Sequence, residues 1–180
     1  MLKVAEGEEA AIEVIVRRYY DGIFSFIYRM TQDHHTAQDL TQETFMKLYK
    51  SASLYTYPRP FKPWLYTIAR NLCKDHFKSA YQRHNQSWEN PEEARNLESS
   101  DTLGEFIERQ EERKMVLNAL NEMTTAHKEV LILRYYHHLS LEEISQIQGI
   151  PIGTVKSRLS YAVKKMRAWF CIDVEAQGGN

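Results

Sequence analysis

The stretch from Leu139 to Leu159, LSLEEISQIQGIPIGTVKSRL, restricts the fold more than any other part of the chain. Ser140 followed three residues later by Glu143 is the pattern of a capping box, which begins a helix. Gly149 and Pro151 then end this helix, because glycine adopts the left-handed conformation easily and proline cannot continue a helix. A further run with helical spacing follows. The sequence therefore predicts two short helices joined by a tight turn.

The second helix of this pair carries its positive charges opposite its apolar side. Residues 152–170 include five basic residues and no acidic one, whereas a solvated surface normally mixes both signs. This pattern favours a helix-turn-helix whose second helix enters a DNA groove over a purely structural hairpin. The predicted inner stripe, at three- and four-residue spacing, consists of Val155, Leu159, Ala162, Met166 and Phe170.

Charge is strongly segregated along the 180 residues, although the net charge is only −1. Residues 59–83 hold six basic residues and one acidic residue, and residues 85–112 hold nine acidic and two basic residues. Two basic blocks therefore flank an acidic one, which favours a chain that binds a polyanion at two separate places.

We expect a cytoplasmic protein, because the sequence shows neither a membrane span nor a signal peptide. Cys73 and Cys171 are expected to be reduced thiols.

Apolar periodicity predicts an all-α fold: two small helical domains joined by a flexible acidic linker, the C-terminal domain being the helix-turn-helix. Two prolines exclude the Leu54–Pro60 segment from a helix interior, and Pro63 suits the first turn of the next helix. Helices are predicted over 7–31, 36–50, 63–81, 105–121, 125–136, 140–148 and 153–170. The predicted units are the N-terminal domain 1–83, the linker 84–104, the C-terminal domain 105–172 and a frayed tail 173–180.

The segment Phe61–Phe77, FKPWLYTIARNLCKDHF, mixes cations with aromatic residues. One helix cannot bury all of its large side chains, so some aromatic rings are expected to lie outward beside the cations. Such a surface binds single-stranded nucleic acid, with cations along the phosphates and rings stacked on unpaired bases. The alternative is that Trp64 and Tyr66 are core or domain-interface residues.

The preceding helix has a polar side without cations. Asp39, Gln42 and Glu43 lie together on it, which suits either a solvated face or a docking surface for another protein. On the opposite side, four residues are expected to face inward: Leu40, Phe45, Leu48 and Tyr49.

Three motifs, AQDLTQETFMKLY, FKPWLYTIARNLCKDHFK and LSLEEISQIQGIPIGTVKSRL, together resemble bacterial RNA polymerase sigma factors of the extracytoplasmic-function (ECF) group. The resemblance covers residues 9–170 and keeps the order of all three motifs. It implies a protein that joins core RNA polymerase, directs it to a promoter and helps to open the duplex. It also implies no bond chemistry of the chain's own, no cofactor or metal, and an anti-sigma partner, often membrane-anchored.

The resemblance also implies roles for individual residues. Asp39, Leu40, Gln42, Glu43 and Phe45 form the helix that binds the polymerase clamp. Tyr55, Phe61, Lys62, Trp64, Tyr66, Arg70, Asn71 and Lys74 engage the melted minus-ten strand, with the Leu54–Pro60 loop holding a flipped base. Thr154, Lys156, Ser157, Arg158, Ser160, Tyr161 and Lys164 face the minus-thirty-five duplex. Tyr161 and Val163 stand where the family commonly has arginines, so no base preference is transferred.

Two other classes of protein would also account for a helix-turn-helix in this sequence. A repressor or activator with a sensory N-terminal domain would bind duplex DNA without polymerase, and the basic aromatic segment argues against it. An enzyme is disfavoured because the pairs His34–His35 and His137–His138 have no acid or cysteine at metal-ligand spacing.

The predicted linker 84–104 limits how far apart the two domains lie in the free chain. A relaxed linker of this length spans roughly 25 Å, whereas the two promoter elements lie on the order of 50 Å apart. The free chain should therefore seldom hold both domains at promoter spacing, and polymerase should set them there.

Overall fold

The structure, a computed structural model, describes residue 4 and residues 9–56, 58–86 and 115–177, and every regular element within these ranges is helical. We number the helices of the described ranges as follows: α1 Glu9–Thr31, α2 His34–Lys50, α3 Phe61–Gln86, α4 115–121, α5 Thr125–Leu131, α6 Leu141–Gln148 and α7 Ile152–Gln177. A short 3₁₀ turn, Ala52–Leu54, follows α2, and a π turn, Ile132–Tyr136, continues α5.

Local capping signals mark the start of α2 and both ends of α6. The side chain of Asp33 accepts a hydrogen bond of 2.6 Å from the backbone N–H of Thr36 and caps α2. The capping box of α6 is present, with Ser140 and Glu143 each accepting from the other's backbone N–H, at 3.1 and 2.8 Å. Gly149 has φ 65° and ends α6. The predicted helix-turn-helix is therefore confirmed.

Three helix ends differ from the sequence-based expectation. α3 continues to Gln86, so the first residues of the predicted linker are helical, while residues 87–104 lie outside the described part. α5 changes to a π turn for its last five residues, with the N–H of His137 donating to the carbonyl of Ile132 at 3.3 Å. α7 continues to Gln177, past the predicted end at residue 170.

The N-terminal lobe is α1, α2 and α3, and the C-terminal lobe is α4 to α7. The first lobe has its centre at Ile23, Phe26, Ile27, Leu48 and Leu65, all fully buried. The predicted inner stripe of α7 is confirmed at Val155 and Ala162, which are fully buried, and Leu159 and Met166 are partly buried against the same core.

The two lobes pack directly against each other. α3 lies on α6, and the π turn lies against α1, so that one continuous apolar cluster joins the two lobes. Polar contacts fix one end of this interface: Gln32 donates to the carbonyl of Leu117 at 2.9 Å, and Asn121 donates to Gln32 at 2.6 Å. The sequence left the relative position of the lobes open, and burial of apolar surface between them decides it.

Candidate nucleic-acid interface

The outer face of α7 presents the residues predicted to face the minus-thirty-five duplex. Burial of Val155 and Ala162 against the C-terminal core fixes the rotation of the helix about its axis. The opposite side is therefore directed to solvent. Lys156, Ser157, Ser160, Tyr161 and Lys164 are exposed, and Thr154 and Arg158 are half-buried.

Two of these side chains are held in place by neighbouring elements. The guanidinium of Arg158 donates to Oε1 of Gln148 at 3.3 Å. The ring of Tyr161 lies 4.5 Å from the imidazole of His127, measured between centroids, yet Tyr161 stays 54% exposed. Partial burial, together with the nearby Arg158 and Lys165, lowers the pKa of His127. The aromatic pair thus gives Tyr161 a defined orientation on the outer face.

The predicted minus-ten segment is arranged differently from the sequence-based expectation. Trp64 is 8% exposed and Tyr66 only 2% exposed, so neither is among the aromatic rings that were expected to lie outward beside the cations. The alternative, that both are core or interface residues, is confirmed. Tyr66 is covered by the C-terminal lobe: its hydroxyl and Nδ1 of His137 share a hydrogen bond of 2.9 Å.

Two cations of the same segment are also turned toward the C-terminal lobe. Lys62 donates to the backbone carbonyl of His137 at 2.8 Å. Arg70 forms an ion pair with Glu129 at 2.6 Å, in which the Glu129 side chain is only 6% exposed. Burial raises the pKa of the Glu129 carboxyl, and the Arg70 guanidinium opposes this shift. In the packed arrangement, these two cations contact the C-terminal lobe, although the family resemblance assigns them to the minus-ten strand.

The remaining predicted minus-ten residues stay accessible in part. Asn71 and Lys74 are exposed on α3. Tyr55 and Phe61 are half-buried and form an aromatic cluster with Trp64, with ring centroids 5.0 to 6.1 Å apart. A cavity of about 330 Å³ opens beside this cluster and is lined by Arg59, Pro60, Pro63, Trp64, Thr67 and, from the other lobe, Gln146.

The polar side of α2 is exposed as predicted. Asp39, Gln42 and Glu43 are exposed, whereas Leu40 and Phe45 are buried and hold the helix against α1. Glu43 also pairs with Lys47 one turn later at 3.2 Å, a contact that is half-exposed on both sides. Such pairs add little stability, so the carboxylate remains available to another protein.

The sequence reasoning missed an apolar groove beside this polar side. Tyr49, expected inward, is 47% exposed, and Met46 is 52% exposed. Both lie at the edge of a groove of about 740 Å³ between α1 and α2. The spacing of Gln42, Met46 and Tyr49 on one side of α2 is the signal that could have revealed it. The lining residues are Ile12, Val16, Tyr20, Gln38, Gln42, Phe45, Met46 and Tyr49.

Three observations on the described residues concern metal ligands, a cysteine thiol and membrane-spanning helices. Among them, no group of three or more His, Cys, Asp or Glu side chains is placed to hold a metal ion. Burial raises the pKa of the Cys73 thiol to about 12, which makes it a poor nucleophile. In the same ranges, no helix has both the length and the hydropathy of a membrane span.

Residues 15–83 match the Sigma-70 region 2 family, and residues 119–168 match the Sigma-70, region 4 family. The chain is 30% identical over 166 residues to the ECF RNA polymerase sigma factor SigL of Mycobacterium tuberculosis, covering 89% of this chain and 92% of the relative. The chain belongs to the ECF sigma factors. It is also 29% identical over 180 residues to the ECF sigma factor SigW of Bacillus subtilis, which covers 92% of this chain and 91% of that protein.

Solved structures show the same fold for this sigma factor. RpoE of Bartonella quintana, solved with the anti-sigma factor NepR, gives a TM-score of 0.72 at 23% identity, covering 89% of this chain and 97% of that chain. CnrH, solved with the cytosolic domain of CnrY, gives a TM-score of 0.73 at 20% identity, covering 96% and 95%. The all-α fold with a C-terminal helix-turn-helix is therefore confirmed.

As an ECF sigma factor, the protein binds core RNA polymerase and directs transcription initiation at promoters through their minus-ten and minus-thirty-five elements. The family acts in transcription regulation. The region 2 match includes most of α1, all of α2 and most of α3, and the region 4 match includes the end of α4, α5, α6 and most of α7.

Proposed function

We propose that the outer face of α7 is the minus-thirty-five contact of this sigma factor. The observation that carries the proposal is the exposure of Lys156, Ser157 and Lys164 on a helix whose 152–170 segment holds no acid. Lysine and arginine would position the helix on phosphates, while Ser160 and Tyr161 could read base edges. The proposed set is Thr154, Lys156, Ser157, Arg158, Ser160, Tyr161 and Lys164.

The polymerase clamp would bind at α2, on the polar side and the groove next to it. Asp39, Gln42 and Glu43 supply exposed polar contacts, and the groove supplies apolar surface at Met46 and Tyr49. Leu40 and Phe45, which are buried, would act indirectly by holding α2 in position against α1. A polar edge beside an apolar centre is the usual composition of a protein–protein interface.

The packed lobes would be the resting state of the free chain, and polymerase would separate them. Lys62, Tyr66 and Arg70 are engaged with the C-terminal lobe, so they cannot hold a DNA strand at the same time. Separating the lobes would release these groups together with Trp64, next to the accessible set Tyr55, Phe61, Asn71 and Lys74. Two promoter elements on the order of 50 Å apart require the same separation.

The proposed domain boundaries are 1–83 and 105–172, joined by the acidic linker 84–104 and followed by a tail, 173–180. We further propose that the sigma factor catalyses no bond chemistry of its own and works in the cytoplasm, where its polymerase is. An anti-sigma factor is the remaining proposed partner. The sigma factor RpoE was solved with the anti-sigma factor NepR, and CnrH with the cytosolic domain of CnrY. A partner of the NepR kind would hold the lobes together here.

A gel shift on promoter DNA with and without core enzyme tests this account. The expected result is binding by the holoenzyme and little binding by the isolated chain, and run-off transcription should then map a defined start site. Tight promoter binding by the isolated chain would contradict the account and favour an ordinary repressor or activator. Run-off transcripts that start at the same sites with and without the chain would reject the promoter-directing role.

A further inference from the structure

The π turn after α5 directs one tyrosine toward the DNA-facing helix. Leu133 is fully buried, and Arg134 donates to the carbonyl of Leu139 at 2.8 Å, which ties the turn to the start of α6. Tyr136 lies under the guanidinium of Arg29, 4.0 Å from its ring centroid, at the contact between the lobes. Tyr135, which lies between Arg134 and Tyr136 in the sequence, is 55% exposed. π turns inserted in α-helices frequently occur at functional sites.

Tyr135 faces a shallow groove of about 440 Å³ that runs along α7. The groove follows one stripe of the helix from Lys156 to Arg167 and is therefore about 16 Å long at 1.5 Å per residue. Besides Tyr135, the residues that line it are Lys156, Leu159, Ser160, Val163, Lys164 and Arg167. Three cations and no acid line this groove, which suits a polyanion.

The groove is continuous with the proposed minus-thirty-five face, because Lys156, Ser160 and Lys164 belong to both. We propose that the Tyr135 hydroxyl donates a hydrogen bond to a backbone phosphate of the minus-thirty-five duplex. This inference rests on the proposed role of α7. Tyrosine is among the residues that contact phosphates in protein–DNA complexes, and such contacts position the protein without reading sequence. Tyr135 would thus fix how far α7 enters the DNA groove. It would do so from the π turn, which lies outside the helix-turn-helix.

A phosphate contact by a neutral hydroxyl differs from a contact by a cation in its response to salt. Each lysine or arginine on a phosphate releases condensed counterions, and losing one changes the slope of log K against log salt by about one. Tyr135 releases no counterion. Removing its hydroxyl should therefore weaken binding by a similar factor at every salt concentration.

The test uses holoenzyme reconstituted from core RNA polymerase and the full chain, on a promoter fragment identified by run-off mapping. Affinity is measured over a series of NaCl concentrations for the wild type, Tyr135→Phe, Arg167→Ala and Lys156→Ala. Tyr136→Phe is the matched control, since it removes the neighbouring hydroxyl but keeps the ring beside Arg29. Tyr135→Phe should weaken binding about tenfold, as expected for a hydrogen bond to a charged group, with an unchanged salt slope. Arg167→Ala and Lys156→Ala should lower the slope by about one each.

A scan with neutral methylphosphonate linkages along the minus-thirty-five strands locates the phosphate. One linkage should weaken binding by the wild type but have little further effect on Tyr135→Phe, because both changes remove the same contact. An equal loss in Tyr136→Phe, or a loss in Tyr135→Ala but none in Tyr135→Phe, would overturn the proposal. Weaker binding of Tyr135→Phe to core enzyme in the absence of DNA would also overturn the proposal, because the groove would then be a contact for polymerase. If Lys156→Ala is also without effect, the proposed role of α7 fails as well; if only Tyr135→Phe is without effect, that role stands.

Discussion

The guanidinium of Arg70 lies 2.6 Å from the carboxylate of Glu129, across the contact between the two lobes. Arg70 is one of the cations that the family resemblance assigns to the minus-ten strand. If Arg70 has the proposed role at the minus-ten strand, the Glu129 carboxylate occupies the position that a DNA phosphate would take when the lobes separate. Because both partners are largely buried, losing one of them should have a large effect on the packing of the lobes.

Glu129→Gln should open the free sigma factor. The substitution leaves the Arg70 guanidinium buried without its counter-charge, and breaking a buried pair in this way costs about 3–5 kcal/mol. We expect the isolated chain to bind a single-stranded minus-ten oligonucleotide at least tenfold more tightly, as measured by fluorescence anisotropy. Glu13→Gln is the matched control, because its pair with Arg17 is exposed. A variant whose lobes separate by FRET but whose affinity for the oligonucleotide is unchanged would show that the contact does not compete with DNA.

The packing of the lobes should weaken as the pH falls below 6.5. Burial, with the nearby Arg29, Lys62 and His138, lowers the pKa of His137 from 6.5 to about 3. Once exposed, the imidazole takes up a proton below pH 6.5, whereas the packed one stays neutral down to about pH 3. The stabilisation is thus complete above pH 6.5 and decreases by about 1.4 kcal/mol per pH unit below it.

The measurement is the free energy of unfolding by urea between pH 7.5 and 5.5, a range above the titration of ordinary carboxyl groups. His137→Gln should reduce the slope in this range and leave only the contribution of His127, whose pKa is also lowered. His35→Gln, which changes an exposed histidine on α2, should retain the slope of the wild type. A wild-type profile that is flat from pH 6.5 to 5.5 would exclude a buried neutral His137.

Two glycines of the helix-turn-helix should respond in opposite directions to alanine. Gly149 has φ 65°, and a Cβ there would meet no atom within 4 Å, so Gly149→Ala should cost about 1–2 kcal/mol through backbone strain alone. Gly153 lies in the first turn of α7 with equally open space around it, so Gly153→Ala should stabilise the chain by about 0.4–1 kcal/mol. Urea unfolding of the full chain measures both, and changes of the same sign would contradict the prediction.

Met46→Glu should weaken binding to core RNA polymerase. Met46 is 52% exposed at the edge of the groove between α1 and α2. A carboxylate buried there against the clamp without a partner would cost several kcal/mol, so we expect at least a tenfold loss of affinity by biolayer interferometry. Val14→Glu is the control, since Val14 is 66% exposed and lies outside the groove lining. Equal losses in the two variants would point to a general charge effect rather than to docking in the groove.

The sequence by itself determined the helices, their caps and the helix-turn-helix. These depend on neighbours three or four residues apart: Ser140 and Glu143 form the capping box, and Gly149 takes the left-handed conformation wherever the lobes lie. The inner stripe of α7 follows from the same periodicity. The order of the three motifs also sufficed to identify the family, since each motif is contiguous in the chain.

Only the tertiary structure decided which groups are free to bind. Tyr66 and His137 meet across 71 residues of chain, and Arg70 and Glu129 across 59, separations at which no local pattern specifies a partner. A helix with apolar and aromatic residues on several sides, such as α3, can bury either side. Here the C-terminal lobe covers Tyr66, while Tyr55 and Phe61 pack against Trp64. Tyr49 and Met46 stay exposed for the same reason, because no element of the described ranges covers that side of α2.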